Sequence, residues 1–326
     1  MMRSILTHGH VDLRPLALGV LLASLCASFG PHVIRADAGD AEQTLLVWAG
    51  DQAHHAPDFV AVIDFDADSP TYGTVLRTVP LPAERLGDGA VGNEPHHVGL
   101  SVDTRTLALG GLLSVLRAQD QVFFFDVRHP RHPQFIRADN PSRYASIADE
   151  FHALHHGGFL APFMGGPDGA QPGRVIEYDA QQNFVGAWPL DPPEDGFNPH
   201  GIALDEAQNL MVTSDFICPL HTLHVPGGGG VLLRGSVRVW DLAHRSITRT
   251  ITVGEPSNPA GTIDVQLIPH DRHHRAFTAG MNDNQLFLGL PATEPFLTSR
   301  SLWHRGQTCI AILPLRHWYL CPERGV

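Results

Sequence analysis

The chain contains no lysine. All 22 basic side chains are arginine, set against 34 carboxylates, and the formal net charge is −12. A nucleic-acid binder needs a positive footprint to displace counterions from phosphate, and a surface held by anionic lipid needs a basic cluster, so both classes are disfavoured. Several motifs are also missing. There is no Gly-x-Ser-x-Gly elbow and no Rossmann fingerprint, and the four glycines at 227–230 lack the Lys-Ser/Thr of a phosphate loop. Helical periodicity is weak throughout, with 145–155 as the best candidate for a short helical turn.

What is present is a folded, turn-rich composition: 43% hydrophobic, 17% charged, 32 Gly and 26 Pro. Such a chain favours many short strands. It is also rich in histidine, with 21 residues.

Residues 1–38 read as a secretory leader. Arg3 and Arg14 precede an apolar run from Pro15 to Gly30 that is short for a membrane span, and Ala36-Asp37-Ala38 fits the small-x-small cleavage pattern. No twin-Arg pair is present. The expectation is a periplasmic or secreted protein with no membrane insertion after cleavage, beginning near Gly39. Cys218, Cys309 and Cys321 remain, and an oxidising compartment permits a Cys309–Cys321 disulfide.

A repeat organises the mature chain. Apolar runs closed by an acid recur as Phe59-Val60-Ala61-Val62-Ile63-Asp64, Val122-Phe123-Phe124-Phe125-Asp126, Val175-Ile176-Glu177-Tyr178-Asp179 and Val237-Arg238-Val239-Trp240-Asp241. The closing aspartates are 62, 53 and 62 residues apart. Each precedes a turn and another short strand. A strand–turn–strand unit at this period predicts the blades of an all-β fold, a β-propeller.

A second element shares the period. Pro95-His96-His97-Val98-Gly99-Leu100, His152-Ala153-Leu154-His155-His156 and Pro199-His200-Gly201-Ile202 each place histidine in a loop feeding an apolar strand. Strands entering successive blades at equivalent positions surround one axis. The repeat therefore predicts that His96, His97, His152, His155 and His200 converge, and several imidazoles around one point suit copper or zinc. Exposed or hydrogen-bonded loop histidines are the bland alternative. Cys218-x-x-His221-x-x-His224 is a second constellation, open between a copper or zinc site and a buried cysteine beside two loop histidines. His129, His132, His270, His273 and His274 read as turn residues, and Met164, Met211 and Met281 as core.

These segments resemble the selenium-binding protein / methanethiol oxidase family. The resembling stretches are Ala56-Pro57-Asp58-Phe59 through Ser69-Pro70-Thr71-Tyr72, the Pro95-His96-His97 loop, His152-Ala153-Leu154-His155, Pro199-His200 and Gly235 to Asp241, in order over about residues 44–288. The resemblance implies a propeller, usually described as seven-bladed, of which about four blades are present and the ring is incomplete. It implies copper-dependent oxidation of methanethiol with O2 and water to formaldehyde, hydrogen sulfide and hydrogen peroxide. By the same resemblance the five histidines above become the metal ligands, and the partners are a small thiol and O2, with no nucleic acid. The cysteine that some members carry after Ser-Pro-x-Tyr is Gly73 here, which speaks against selenium binding. A non-catalytic, exported copper-binding propeller is the alternative, and a repeat scaffold a third.

Residues 289–326 show no blade pattern and resemble nothing in the family. The expectation is a frameshift or gene truncation that replaced a native C-terminal half, leaving 39–288 as a partial propeller.

Overall fold

A computed structural model describes residues 43–194, 196–223, 231–282, 284–289 and 297–298. The leader therefore lies outside the described residues, as do His224, Cys309 and Cys321. Among the described residues, no helix is long and apolar enough to cross a membrane.

The described chain forms five successive antiparallel sheets. Sheet I holds β1 (Thr44–Ala49), β2 (Phe59–Asp64) and β3 (Val75–Pro80). Sheet II holds β4 (Pro95–Leu100), β5 (Thr106–Gly111), β6 (Val122–Asp126) and β7 (Gln134–Asp139). Sheet III holds β8 (Ser146–Ala148), β9 (His152–Ala153), β10 (Phe159–Gly165), β11 (Arg174–Tyr178) and β12 (Phe184–Trp188). Here β8 and β9 both pair with β10. Sheet IV holds β13 (Pro199–Asp205), β14 (Leu210–Ile217), β15 (Leu233–Asp241) and β16 (Ser246–Thr252). A short hairpin, β17 (Gly254–Glu255) and β18 (Asn258–Pro259), leads to sheet V: β19 (Thr262–Leu267), β20 (Ala276–Gly280), β21 (Gln285–Gly289) and β22 (Leu297–Thr298).

Each sheet is a meander, and the inner strands of successive sheets approach one another, β4 against β1 and β9, and β13 against β9, β10 and β19. This is the β-propeller that the repeat predicts. The four acid-closed runs fall in sheets I to IV, of which sheet I is three-stranded, and sheet V adds a further blade. Two details differ from expectation. The 145–155 stretch is extended, with Ser146–Ala148 and His152–Ala153 laddered onto β10 rather than coiled into a turn of helix. The tail carries blade structure at its start, because Leu297 and Thr298 pair with Leu288 and Phe287 as a fourth strand.

The strand period of two explains the core. Phe123 and Phe125 pack toward Trp48, Val60 and Leu109 of sheets I and II, while Phe124 between them faces Phe159, Phe163 and Tyr178 of sheet III. In sheet IV, Met211 and Trp240 face sheet III, and Val212, Val237 and Val239 face Val265 and Phe287 of sheet V. A strand buried on both faces reads as a continuous apolar run, which is why the third strands stand out in the sequence.

The recurring aspartates are structural. Asp64 accepts the Asp66 N–H at 3.1 Å, Asp126 that of Arg128 at 3.0 Å, Asp179 that of Gln181 at 2.8 Å and Asp241 that of His244 at 3.1 Å. A carboxylate that captures a backbone N–H two or three residues ahead fixes the turn into the next strand.

Candidate metal centre

His96 and His97 are adjacent, and in a regular strand their side chains would point to opposite faces. A register break prevents this. Pro95 pairs with Gly111 and Val98 with Leu109, so three steps on β4 answer two on β5. The extra residue is a β-bulge, and it re-aims the two imidazoles. Their ring centroids lie 4.3 Å apart with planes at 88°. The same irregularity falls between Pro199 and Ile202 on β13, where it carries His200. The His97 and His200 rings then meet edge-on with centroids at 5.5 Å.

The fourth member is Asp149, which follows β8. Its carboxylate is fully buried. His97 Nε2 lies 2.7 Å from Asp149 Oδ1, His200 Nε2 at 3.3 Å and His96 Nε2 at 3.6 Å. The four potential ligand atoms all lie within 4.8 Å of one another. The imidazoles do not approach along a hydrogen-bond direction, and both Asp149 oxygens are left without a directed donor. A buried carboxylate without donors is costly, and three imidazole nitrogens aimed at the same point do not relieve it as neutral acceptors. Three nitrogens and one oxygen around a shared centre fit a transition-metal cation, which would satisfy all four.

Close packing sets this geometry. A Cβ added at Gly99 would lie 2.5 Å from Phe151 Cβ and 2.6 Å from its carbonyl oxygen, so glycine lets the strand bearing His96 and His97 abut the segment bearing Asp149. Ile147, buried two residues before Asp149, has φ +67°. That is a strained conformation for a β-branched residue, and it is held partly by its N–H donating to Gln121 Oε1 at 2.8 Å. His200 rests edge-on against Phe216, with centroids 5.1 Å apart.

The charges respond to this setting. Burial pushes the Asp149 carboxyl up, but His200, His96 and His97 outweigh it and hold the group well below the usual carboxylate range. Burial pulls His97 down, and Asp149 more than offsets it, so its net shift is upward. For His200 burial prevails over Asp149 and the shift is downward, which favours the neutral, ligating imidazole. Behind the ligands lie two further acids. Burial, then the nearby Asp264, pushes Glu150 up to about 8, and its Oε2 accepts the Ile202 N–H at 3.0 Å. Burial likewise raises Asp264.

Three of the five histidines singled out in the sequence thus come together, His96, His97 and His200. His152 and His155 contribute no ligand atom to this group. His152 sits half-buried on β9 beside Glu206 and His155, and desolvation pulls its pKa down to about 4. His155 is exposed, in the turn after β9, where its N–H donates to Glu206 Oε1 at 2.9 Å. The physical reason lies in sheet III. Its entry is split into β8 and β9, and Asp149 in the gap takes the place that histidine holds on β4 and β13. Sequence reasoning missed Asp149; the available signal was a carboxylate pair, Asp149-Glu150, inside the apolar stretch leading to His152. Cys218 is buried and His221 exposed, and among the described residues they join no group of three ligands. His129, His132, His270 and His273 lie in turns, as expected.

The comparisons with known proteins agree with this fold. The family model for the 56 kDa selenium-binding protein (SBP56) matches residues 30–282. Selenium-binding protein 1 of Arabidopsis thaliana is 28% identical over 149 residues, which is 40% of this chain and 28% of that protein. Methanethiol oxidase of Rattus norvegicus is 24% identical over 214 residues, 60% of this chain and 43% of that protein. The chain therefore spans less than half the length of these relatives. Among solved structures, the hypothetical selenium-binding protein of Sulfolobus tokodaii superposes with a TM-score of 0.61 at 18% identity, covering 78% of this chain and 59% of that one. The chain belongs to the 56 kDa selenium-binding protein family.

Proposed function

We propose that this protein is a copper-dependent oxidoreductase of small thiols, acting on methanethiol with O2 and water to give formaldehyde, hydrogen sulfide and hydrogen peroxide. The observation that carries the reading is the convergence of His96, His97 and His200 on the buried Asp149. The reaction is suggested by the relatives named methanethiol oxidase.

In this reading His96, His97, His200 and Asp149 hold copper. Bound copper supplies a soft seat for thiolate sulfur and an acceptor for electrons bound for O2. The protein's part is orientation. The two bulged strands fix the imidazoles, Phe216 holds the His200 ring, and the sealed Asp149 would balance cationic charge. His96 and His97 keep 37% and 35% of their side-chain surface exposed, so substrate arrives from their side, whereas His200 at 10% and Asp149 at 0% form the floor. We place the protein outside the cytoplasm, on the strength of the leader-like residues 1–38.

The second reading is an exported copper-binding propeller without turnover, which the same four ligands would serve. One experiment separates them: purified, copper-loaded protein is supplied with methanethiol, and peroxide, sulfide and formaldehyde are measured together. Equimolar release of all three that fails in His200→Ala supports the oxidase. Stoichiometric copper with no thiol consumption supports the second reading, and absence of copper binding contradicts both.

A further inference from the structure

The four residues of the metal centre come from three different sheets: His96 and His97 from sheet II, Asp149 from the gap between β8 and β9 in sheet III, and His200 from sheet IV. Their spacing therefore depends on how these sheets are tied to one another. On β4 and β13 the backbone is a poor tie beside the histidines. Pro95 and Pro199 have no N–H to give to a ladder, and the register breaks just after each. Three side-chain amides, all fully buried, stand at or near these places: Asn93, Gln121 and Asn198.

Each amide joins neighbouring sheets. Asn93 stands just before β4 and bonds to Asp58, which precedes β2 of sheet I. Its N–H and its Nδ2 both donate to Asp58 Oδ2, at 2.7 and 3.1 Å, while its Oδ1 accepts the Ser114 hydroxyl at 2.7 Å. Gln121 precedes β6 of sheet II and reaches sheet III. Its Oε1 accepts the Ile147 N–H at 2.8 Å and its Nε2 donates to the Ala145 carbonyl at 3.3 Å. One side chain thus clasps the strand that leads to Asp149 on both sides of Ser146. Asn198 precedes β13 of sheet IV. Its Nδ2 donates to the carbonyl of Met164, on β10 of sheet III, at 2.7 Å. Its Oδ1 accepts from Arg234 Nε at 2.8 Å, and its N–H donates to Asp215 Oδ1 at 3.0 Å. The ties through Gln121 and Asn198 run directly between the sheets that bear the ligands.

We propose that Asn93, Gln121 and Asn198 are positioning residues of the metal centre, holding the three ligand-bearing segments at their mutual distances before a metal arrives. The proposal rests on the copper reading of that centre. A carboxamide suits the task. It donates and accepts at once, carries no charge into the buried space, and competes poorly with imidazole for copper. Each of the three uses both halves of its amide group, and each spans a place that the regular ladder leaves loose: Asn93 and Asn198 the proline and bulge before the histidines, Gln121 the strained Ile147 before Asp149. A ligand set assembled from separate sheets keeps its geometry only if such supports are fixed.

Copper affinity and the copper hyperfine splitting in electron paramagnetic resonance test this on the full chain, in Gln121→Met, in Asn198→Ala and in Val212→Ala. Val212 faces sheet V, away from the centre, so its truncation loosens the core without touching these ties. The expected result is an affinity lowered about tenfold or more and an altered splitting in both amide variants, with Val212→Ala unchanged in both. Native affinity and splitting in the amide variants overturn the proposal, as does the same loss in Val212→Ala, which would mark general destabilisation. Should the amide variants fail to fold, Gln121→Glu and Asn198→Asp keep the shape and the acceptor, and the same two outcomes decide. A native chain that binds no copper overturns the copper reading, and the positioning is then judged in the metal-free proteins by imidazole proton resonances. Displaced His97 and His200 signals in the amide variants, with native ones in Val212→Ala, support it; identical signals in all chains refute it.

Discussion

Replacing Asp149 by Asn separates a metal centre from a structural ion-pair cluster, because the two assign opposite signs to stability. Asp149 is sealed from solvent and neither oxygen receives a directed donor. Without metal, an unsatisfied buried group of this kind costs about 1–3 kcal/mol. At alkaline pH, where the imidazoles that hold the Asp149 carboxyl down are neutral, Asn keeps the shape and removes the charge, so the metal-free variant gains stability of that order. For a chain of this size this raises Tm by roughly 2–12 °C. With metal the sign reverses. A ligand at 100 times its Kd stabilises the native chain by about 2.7 kcal/mol. Loss of even a supporting partner typically weakens metal affinity about 10–100-fold, and a ligand should lie at the upper end. At the same concentration the variant then sits near its own Kd and gains only about 0.4 kcal/mol. Scanning calorimetry of both proteins, in chelator and in excess copper, reads all four values. A metal-free Asp149→Asn that melts several degrees below the native protein, with an unchanged copper shift, would refute the reasoning and make Asp149 an ordinary salt-bridge acid.

Three further outcomes follow from the geometry. His200→Ala should lose bound copper while His152→Ala and His155→Ala keep it at one per chain; copper loss in either of the latter, measured by elemental analysis of folded protein, would contradict the ligand set. Gly99→Ala drives a methyl into the Phe151 backbone and should weaken copper binding about tenfold or more with the far-ultraviolet circular dichroism retained; unchanged affinity would show that this close approach does not place Asp149. Acid stability carries the mark of the turn aspartates. Asn209 and His244 hold the Asp241 carboxyl down to about 2, below its unfolded value, so its contribution is present above about pH 4 and fades as pH falls toward 2. Asp241→Ala should therefore flatten the fall of Tm between pH 5 and 2.5, and parallel curves would exclude this role.

Much of this fold was legible because third strands are buried on both faces. Phe123, Phe124 and Phe125 form an uninterrupted apolar run, and the Asp that captures the next turn marks where each run stops. The histidine phase was legible for the same reason, since His96 and His200 enter equivalent strands. What could not be read were the bulges. A register shift between Pro95 and Val98 has no local sequence signature, yet it decides whether adjacent histidines diverge or converge. Nor could the split of β8 from β9 be read, and that split exchanges His152 for Asp149. Periodicity places a strand; its irregularities aim the side chains.

The most direct test of the metal centre is a copper titration followed by electron paramagnetic resonance on the native chain and on the triple variant His96→Ala, His97→Ala, His200→Ala. One tightly bound copper per native chain, with coupling to three imidazole nitrogens and none in the triple variant, is the predicted result. Copper bound equally by both chains, or bound by neither, would contradict it.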